Sequence, residues 1–379
     1  MAQKRKQSYY DFSLVSIIVF LLCFGLVMLY STTSYEAQLQ GVSPTRFLRS
    51  HIIGVILGLA AMFALSLIDY HFWKRFTVLA YLAACGLILL VLTPLGRSAN
   101  GATRWIYIGS MSFQPAEFAK IAIIIFMARL IERNYKPLKA RGIRVMFSII
   151  AWAVPLAVLI WQITNNLSSA IIVFGIAAVM IFVATPRYDI FIVFGTIAVV
   201  GITVFVMNIE NLAAMGDNFR LNRVLAWKDP EAYPLDTGFQ TLQGLYAIGS
   251  GGLFGKGLGN SIQKLSFLPE PQNDMIFAII CEELGLFGAC CVILMFMFML
   301  WRFMVIANNA PDLYGSMIVV GVMAHIAIQV ILNIAVVTNT IPNTGITLPF
   351  ISYGGTSALF LTAEMGLVLS VSRSIKVEY

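Results

Sequence analysis

The sequence predicts an all-α, polytopic membrane protein of about ten transmembrane helices, on three observations. Of its 379 residues 59% are hydrophobic and only 11% charged, and the mean hydropathy is +0.85; a soluble domain carries roughly a quarter of its residues charged. Apolar runs able to cross ~30 Å of hydrocarbon recur along the chain. Basic residues gather in alternate connecting segments, as membrane insertion requires. The formal charge of +7 therefore reflects topology, and no nucleic-acid partner is expected, because no single amphipathic face collects the charge.

The apolar runs fall at 12–31, 50–69, 76–94, 114–132, 146–163, 167–185, 189–207, 275–300, 314–338 and 355–372. The first follows Lys4, Arg5 and Lys6 but is too long for a signal-peptide core, so it is expected to stay as an anchor. With the N-terminus inside, the inner segments hold fifteen basic residues: Lys4, Arg5, Lys6, Lys74, Arg75, Arg129, Arg133, Lys136, Lys139, Arg141, Arg144, Arg187, Arg302, Arg373 and Lys376. The short outer loops hold four, Arg46, Arg49, Arg97 and Arg104. Both termini are thus expected in the cytoplasm, with residues 208–274 forming a large extracytoplasmic loop between the seventh and eighth spans. The chain reads as one integral-membrane domain, 1–379, without internal repeats. Its five cysteines lie in apolar runs without ligand spacing, and its three histidines are far apart in sequence, so neither suggests a metal centre.

Structureless loops as long as 208–274 are rare unless functional. Its middle, Gly238 to Ile248, reads as a short amphipathic helix at the membrane surface. The glycine-rich stretch after it, Gly249 to Gly259, is not a nucleotide loop: Ser250 and Gly257 stand where glycine and Ser/Thr are needed. No nucleotide cofactor is expected. What remains is a flexible surface turn, or backbone N–H groups and Lys256 laid against a phosphate.

Asp274 opens the eighth span, with Glu270 four residues before it and Pro269 and Pro271 bracing the approach. A carboxylate there is either a dipole-favoured cap, or a general base or ligand for a divalent cation such as Mg²⁺ or Mn²⁺. Glu117 and Lys120, three apart in the fourth span, share a face and can pair. Glu282, Glu283 and Glu364 also lie within spans. Charge at such depth either pairs between helices or faces a water-filled cavity. Arg104, Arg220 and Arg223 offer guanidinium forks suited to phosphate, or serve as snorkelling anchors. Between the last two spans, Pro342 to Thr356 holds two prolines and three glycines. Non-helical backbone at that depth requires shelter by protein or a water-filled cavity, which suggests a re-entrant loop.

Five stretches together resemble the SEDS family (shape, elongation, division and sporulation), of the FtsW/RodA/SpoVE type. They are Gly101-Ala-Thr-Arg-Trp-Ile106, Phe113-Gln-Pro-Ala-Glu-Phe-Ala-Lys120, Gly251-Gly-Leu-Phe-Gly-Lys-Gly257, the run from Leu268-Pro-Glu270 through Asp274 to Gly285, and Leu348-Pro-Phe-Ile-Ser-Tyr-Gly-Gly355. Gly345-Ile-Thr-Leu-Pro-Phe350 sits nearer the FtsW/SpoVE branch. One position departs: where the family usually shows Gln-Pro-Asp-Leu-Gly-Thr, this chain reads Thr164-Asn-Asn-Leu-Ser-Ser169, so Asn166 replaces the carboxylate and no charge role carries over.

The resemblance implies a peptidoglycan glycosyltransferase that polymerises lipid II at the outer face of the bacterial cytoplasmic membrane. It also implies partnership with a class B penicillin-binding protein and with other division or elongation proteins. On that reading Asp274 and Glu270 are catalytic, Asp274 is also the candidate metal ligand, and Arg104, Glu117, Lys120, Arg220, Arg223, Lys256 and Ser352 bind substrate. A lipid II flippase, or a non-catalytic scaffold of the division or sporulation complex, would share the topology without needing an acid at Asp274.

Overall fold

A computed structural model describes every residue except 1–5, 40, 42, 44, 100, 101, 109, 110, 141, 214–218, 234–237 and 379. Lys4, Arg5 and Arg141 of the charge count and Gly101 of the second-loop motif therefore lie outside the described residues, as do the side chains of Arg46 and Arg220.

Helices stand at all ten apolar runs. In chain order they are α1 (Phe12–Leu39), α2 (Thr45–Leu67), α3 (Thr77–Leu90), α4 (Pro115–Arg133), α5 (Tyr135–Lys139), α6 (Ile143–Ile150), α7 (Ala153–Thr164), α8 (Leu167–Ala184), α9 (Tyr188–Met207), α10 (Ile209–Ala213), α11 (Phe219–Lys228), α12 (Phe239–Gly251), α13 (Ile276–Asn309), α14 (Leu313–Val337) and α15 (Gly355–Ser374). Among the described residues eight stretches are long and apolar enough to cross a membrane, α6 and α7 together forming one of them. The 14-residue α3 is shorter, and α4 carries the charged Glu117 and Lys120 in its first two turns. Helix α12 falls where the amphipathic segment was expected. Among its described residues α9 buries none, so its whole circumference suits lipid.

Two spans are broken where a single helix was expected. The fifth divides into α6 and α7, and Pro155 explains the restart: a proline in a first turn forfeits no intrahelical bond. The eighth, α13, is interrupted at Gly285, which adopts φ 68° and ψ −170°. A three-stranded antiparallel sheet, β2 (Gly96–Ala99), β3 (Ala102–Ile108) and β4 (Met111–Phe113), links α3 to α4.

Polar ties collect at two ends of the bundle. At one end β1 (Lys6–Ser8) pairs antiparallel with β5 (Lys376–Glu378), so the two termini lie together. Arg302 clamps Asp11 there at 2.6 Å, and Arg373 reaches the Leu67 carbonyl. The other end holds Asp274, the 342–354 loop, the α7–α8 corner and β3, joined by the bonds described next.

Candidate active site

Asp274 is 8% exposed and sits one residue before Met275, the N-cap of α13. Burial raises its pKa to about 6; the nearby Glu270 charge raises it too, while its own backbone N–H, Arg223 and a hydrogen bond with Gln240 pull the other way. A buried carboxyl tuned toward neutrality is suited to general-base work, because it is ionised near the operating pH and still basic. Glu270 is solvent-exposed and takes φ 52° ahead of Pro271, a left-handed conformation that costs of order 1–3 kcal/mol. Its carboxylate accepts from the Asn273 side chain, so its influence on Asp274 is electrostatic.

Arg223, on α11, and Arg104, on β3, approach the same mouth. Burial lowers the pKa of Arg223, with Asp274 opposing and Arg104 adding to that effect. The two guanidiniums thus sense each other and one senses the acid. Arg223 Nη1 donates to the Asn343 carbonyl at 3.3 Å. Arg104 Nε and Nη2 donate to the Thr164 and Asn165 carbonyls at 3.2 and 3.1 Å, which moors the sheet to the α7–α8 corner. Asn166 caps α8 there by accepting from the Ser169 N–H at 3.0 Å. Arg220 lies on α11 too, its side chain outside the described residues.

The 342–354 stretch is non-helical, as its composition predicted, and it covers Asp274. Gly345, at φ +68°, passes so close that an added Cβ would lie 4.0 Å from Asp274 Oδ2. Asn343 Nδ2 donates to Gln240 Oε1 at 2.7 Å, and Ser168 Oγ donates to the Thr344 carbonyl at 2.6 Å. Ser352, expected to bind substrate, staples this loop. Its hydroxyl donates to the Asn273 carbonyl at 2.7 Å and accepts from the Leu348 N–H at 2.8 Å.

Glu117 and Lys120 pair at 2.9 Å, as their spacing predicted, with side chains 9% and 2% exposed. Lys120 Nζ also reaches Gln329 Oε1 on α14 at 3.4 Å.

Lys256, also expected to bind substrate, is ion-paired within the chain. Its ammonium lies 2.7 Å from Glu282 Oε1, and its own N–H donates to the Glu282 carbonyl while that of Gly257 donates to Glu283. The Gly252 and Leu253 carbonyls accept from Leu286 and Phe287 in return. The glycine-rich stretch is therefore neither a flexible turn nor a phosphate cradle; it fills the break in α13 and satisfies the backbone groups that Gly285 frees. Glu283 pairs likewise with Lys264 at 2.7 Å. Above that pair a cavity of about 670 Å³ opens, walled by Leu26, Val27, Tyr30, Leu48, Ile52 and Leu265 among others. None of the predicted site residues lines it.

As for a metal, no group of three or more His, Cys, Asp or Glu side chains among the described residues could hold one. Asp274 has the Glu270 charge, Arg223 and Gln240 around it.

The polytopic bundle thus shelters Asp274 at one mouth, with Arg223 acting on it and Arg104 acting on Arg223. A model of the FtsW, RodA and SpoVE cell cycle proteins matches residues 12–377. The chain is 40% identical to stage V sporulation protein E of Bacillus subtilis over 371 residues, covering 97% of this chain and 98% of that protein. It is 36% identical to a probable peptidoglycan glycosyltransferase FtsW of Geobacter metallireducens over 370 residues, covering 97% and 96%. Among solved structures, a chain of a peptidoglycan synthase complex superposes with a TM-score of 0.77 at 26% identity, covering 97% and 98%. The protein belongs to the SEDS family of multi-pass cytoplasmic-membrane proteins.

Proposed function

We propose that this chain is a peptidoglycan glycosyltransferase that polymerises lipid II at the outer face of the membrane. The observation that carries this reading is Asp274: a buried acid with its pKa raised to about 6, within reach of Arg223, which in turn senses Arg104. The acceptor sugar's 4-hydroxyl gives its proton to Asp274, and the oxygen attacks the anomeric carbon of the donor chain. The bond from that carbon to pyrophosphate breaks, its electron pair leaving with undecaprenyl pyrophosphate. An α-linked donor yielding a β-1,4 bond requires inversion, which one displacement accomplishes. Arg223 and Arg104 offset the charge that grows on the leaving group, with Arg220 on the same helix as Arg223. Glu270 keeps Asp274 basic through its charge, and Lys120, held by Glu117, serves the substrate from deeper in the bundle. The apolar cavity over Lys264 has the lining and volume to shelter part of a polyprenyl chain.

This assignment puts residues 208–274 outside and both termini in the cytoplasm, and the pairing of β1 with β5 supports an even number of crossings. The likeness to a chain of a peptidoglycan synthase complex supports a class B penicillin-binding protein as partner, with other division or elongation proteins around the pair.

The test is purified full-length protein, alone and with that transpeptidase, given lipid II. Wild type should extend glycan strands and Asp274→Asn should not, while expressing normally and still binding its partner. Undiminished synthesis by Asp274→Asn would remove Asp274 as the base, and no synthesis by wild type would transfer the reading to a flippase or a scaffold.

A further inference from the structure

Helix α14 carries three buried polar side chains, His325, Gln329 and Asn333, spaced i, i+4 and i+8 and thus stacked on one face. They are 1%, 2% and 0% exposed. Placing three polar groups in a membrane helix interior is costly unless each is satisfied. Each rung bonds to a different part of the protein.

At the top rung, Asn333 Nδ2 donates to two carbonyls, those of Asp274 and Ile346, both at 2.7 Å. One amide nitrogen thereby ties the backbone of the acid to the loop that covers it. Asn333 Oδ1 is buried with no partner among the described residues, so the side chain is placed by what its nitrogen holds. One turn below, Gln329 Nε2 donates to the Thr347 carbonyl at 3.1 Å. Its oxygen faces both Lys120 Nζ at 3.4 Å and His325 Nε2 at 2.9 Å. Because the nitrogen of Gln329 is already donating, its oxygen must accept, which assigns the hydrogen to His325 Nε2. The ring's other nitrogen meets Glu364 Oε2 on α15 at 2.7 Å.

We propose that Asn333 and Gln329 are positioning residues for glycosyl transfer, Asn333 setting Asp274 and Gln329 setting Lys120, with His325 and Glu364 anchoring the ladder to α15. The inference rests on the reading of Asp274 as base. Adjacent turns of one rigid helix hold the acid's backbone and the buried cation, so their separation is fixed by helix geometry rather than by loops. The covering loop is tied at consecutive residues, Ile346 and Thr347, and cannot lift from Asp274 without breaking both ties. Neither side chain need touch substrate.

The experiment compares Asn333→Ala, Asn333→Ser and Gln329→Leu with wild type and Asp274→Asn in lipid II polymerisation by the full chain with its transpeptidase partner. Rates are normalised to folded protein. Asn333→Ala should lower kcat about ten- to a hundredfold, the scale of a misplaced reacting group, while KM stays within about threefold. The acid limb of its pH–rate profile should move from that of wild type, because Asp274 sits in altered surroundings. Asn333→Ser, which keeps a polar donor at the site, should recover part of kcat and keeps the test open if the alanine variant misfolds. Gln329→Leu should lower kcat with a smaller displacement of the acid limb than Asn333→Ala, since it loosens Lys120 and one of the two loop ties while Asn333 still holds Asp274. An unchanged kcat in both Asn333 variants, or a loss that tracks melting temperature with the pH profile unmoved, overturns the proposal. An active Asp274→Asn would overturn the underlying reading instead, whereas an inactive Asp274→Asn beside a normal Asn333→Ala condemns only the ladder.

Discussion

Gly255 and Gly285 meet backbone to backbone, so that a Cβ on the first would lie 2.2 Å from the Glu283 carbonyl oxygen and one on the second 2.3 Å from the Gly255 nitrogen. Both are in the left-handed region, at φ 76° and 68°. The contact lets the glycine-rich stretch enter the break in α13, and it aligns Lys256 and Lys264 with Glu282 and Glu283. The lower part of α13 and the segment bearing Asp274 share that junction. Alanine at either glycine should lower stability by more than the roughly 1–3 kcal/mol of a left-handed non-glycine alone, because backbone must also move. Thermal unfolding in detergent should show clear losses for both variants, and wild-type melting by either would mean the junction is loose.

The pH–rate profile of polymerisation should carry an acid limb near 6. Asp274 must be ionised to accept a proton, so the rate rises as pH climbs through its folded pKa of about 6 and falls below it. The same raised value has an opposite consequence for folding. The folded state holds the proton more tightly than the unfolded chain, so protonated Asp274 favours folding at low pH, and that contribution is lost as pH rises through about 6. Asp274→Asn should therefore melt no lower than wild type at pH 7.5 while losing about 10²–10⁴-fold in rate. A melting temperature well below wild type would show that the carboxylate is a structural cap.

Much of this was legible in the sequence because the bilayer enforces it. Apolar length marked ten runs at which helices stand, eight of them in stretches long and apolar enough to span among the described residues; charge spacing paired Glu117 with Lys120, and proline and glycine density marked 342–354 as irregular. Asp274 stood out as an acid at a helix start. The break at Gly285 was hidden, since one glycine in an apolar run costs a helix only about 1 kcal/mol, and its partners lie some thirty residues upstream. The fate of Lys256 and Ser352 was hidden for the same reason: each answers to groups brought near by folding. The small β2–β3–β4 sheet lacked a long alternating pattern. The ladder on α14 did leave a signal, three polar residues at i, i+4 and i+8 in an apolar span, and that spacing alone could have found it.

His71 bridges two turns at the end opposite Asp274. Its Nδ1 lies 2.7 Å from Asp69 and its Nε2 2.7 Å from Asp312, tying the 3₁₀ turn Tyr70–Arg75 to the start of α14. Burial works against the charged ring, but the two carboxylates outweigh it and hold its pKa above the ordinary value. Both carboxyls, against the burial that would raise them, are held below theirs, Asp69 chiefly by His71 and Asp312 by the Gly315 N–H, Tyr70 and His71. The histidine contribution is complete below about 6.5 and lost as pH rises through the raised value. The carboxylate contribution is complete above about 3.9 and lost as pH falls through the depressed values. The clamp should thus be strongest between these limits. At half exposure it is worth less than about 1 kcal/mol. Wild type should lose slightly more melting temperature than His71→Gln between pH 6.5 and 8.5, and parallel curves would dismiss the clamp.

The fold leaves Glu231 and Lys139 exposed, on loops that the charge count places on opposite sides of the membrane. In a background without the five native cysteines, Glu231→Cys should react with an impermeant maleimide on protoplasts and Lys139→Cys should not. The reverse labelling would put Asp274 in the cytoplasm, where glycan strands are not made.

The pair formed by Glu117 and Lys120 admits two explanations that a double-mutant cycle separates. If mutual neutralisation is the pair's whole purpose, removing either partner strands a buried charge, a defect typically of 3–5 kcal/mol. Glu117→Gln and Lys120→Met would then damage melting alike, and the double variant would regain most of the loss together with its activity. The surroundings argue for more than neutralisation. Lys120 has Gln329 as a further neighbour at 3.4 Å, and Gln329 grips the loop over Asp274 through Thr347. A cation joined in this way to the cover of the acid is placed to serve an anionic substrate. Lys120→Met should accordingly fold yet fail to polymerise lipid II, and the double variant should regain stability without activity. Recovery of both stability and polymerisation in the double variant would reduce Lys120 to a structural counter-ion.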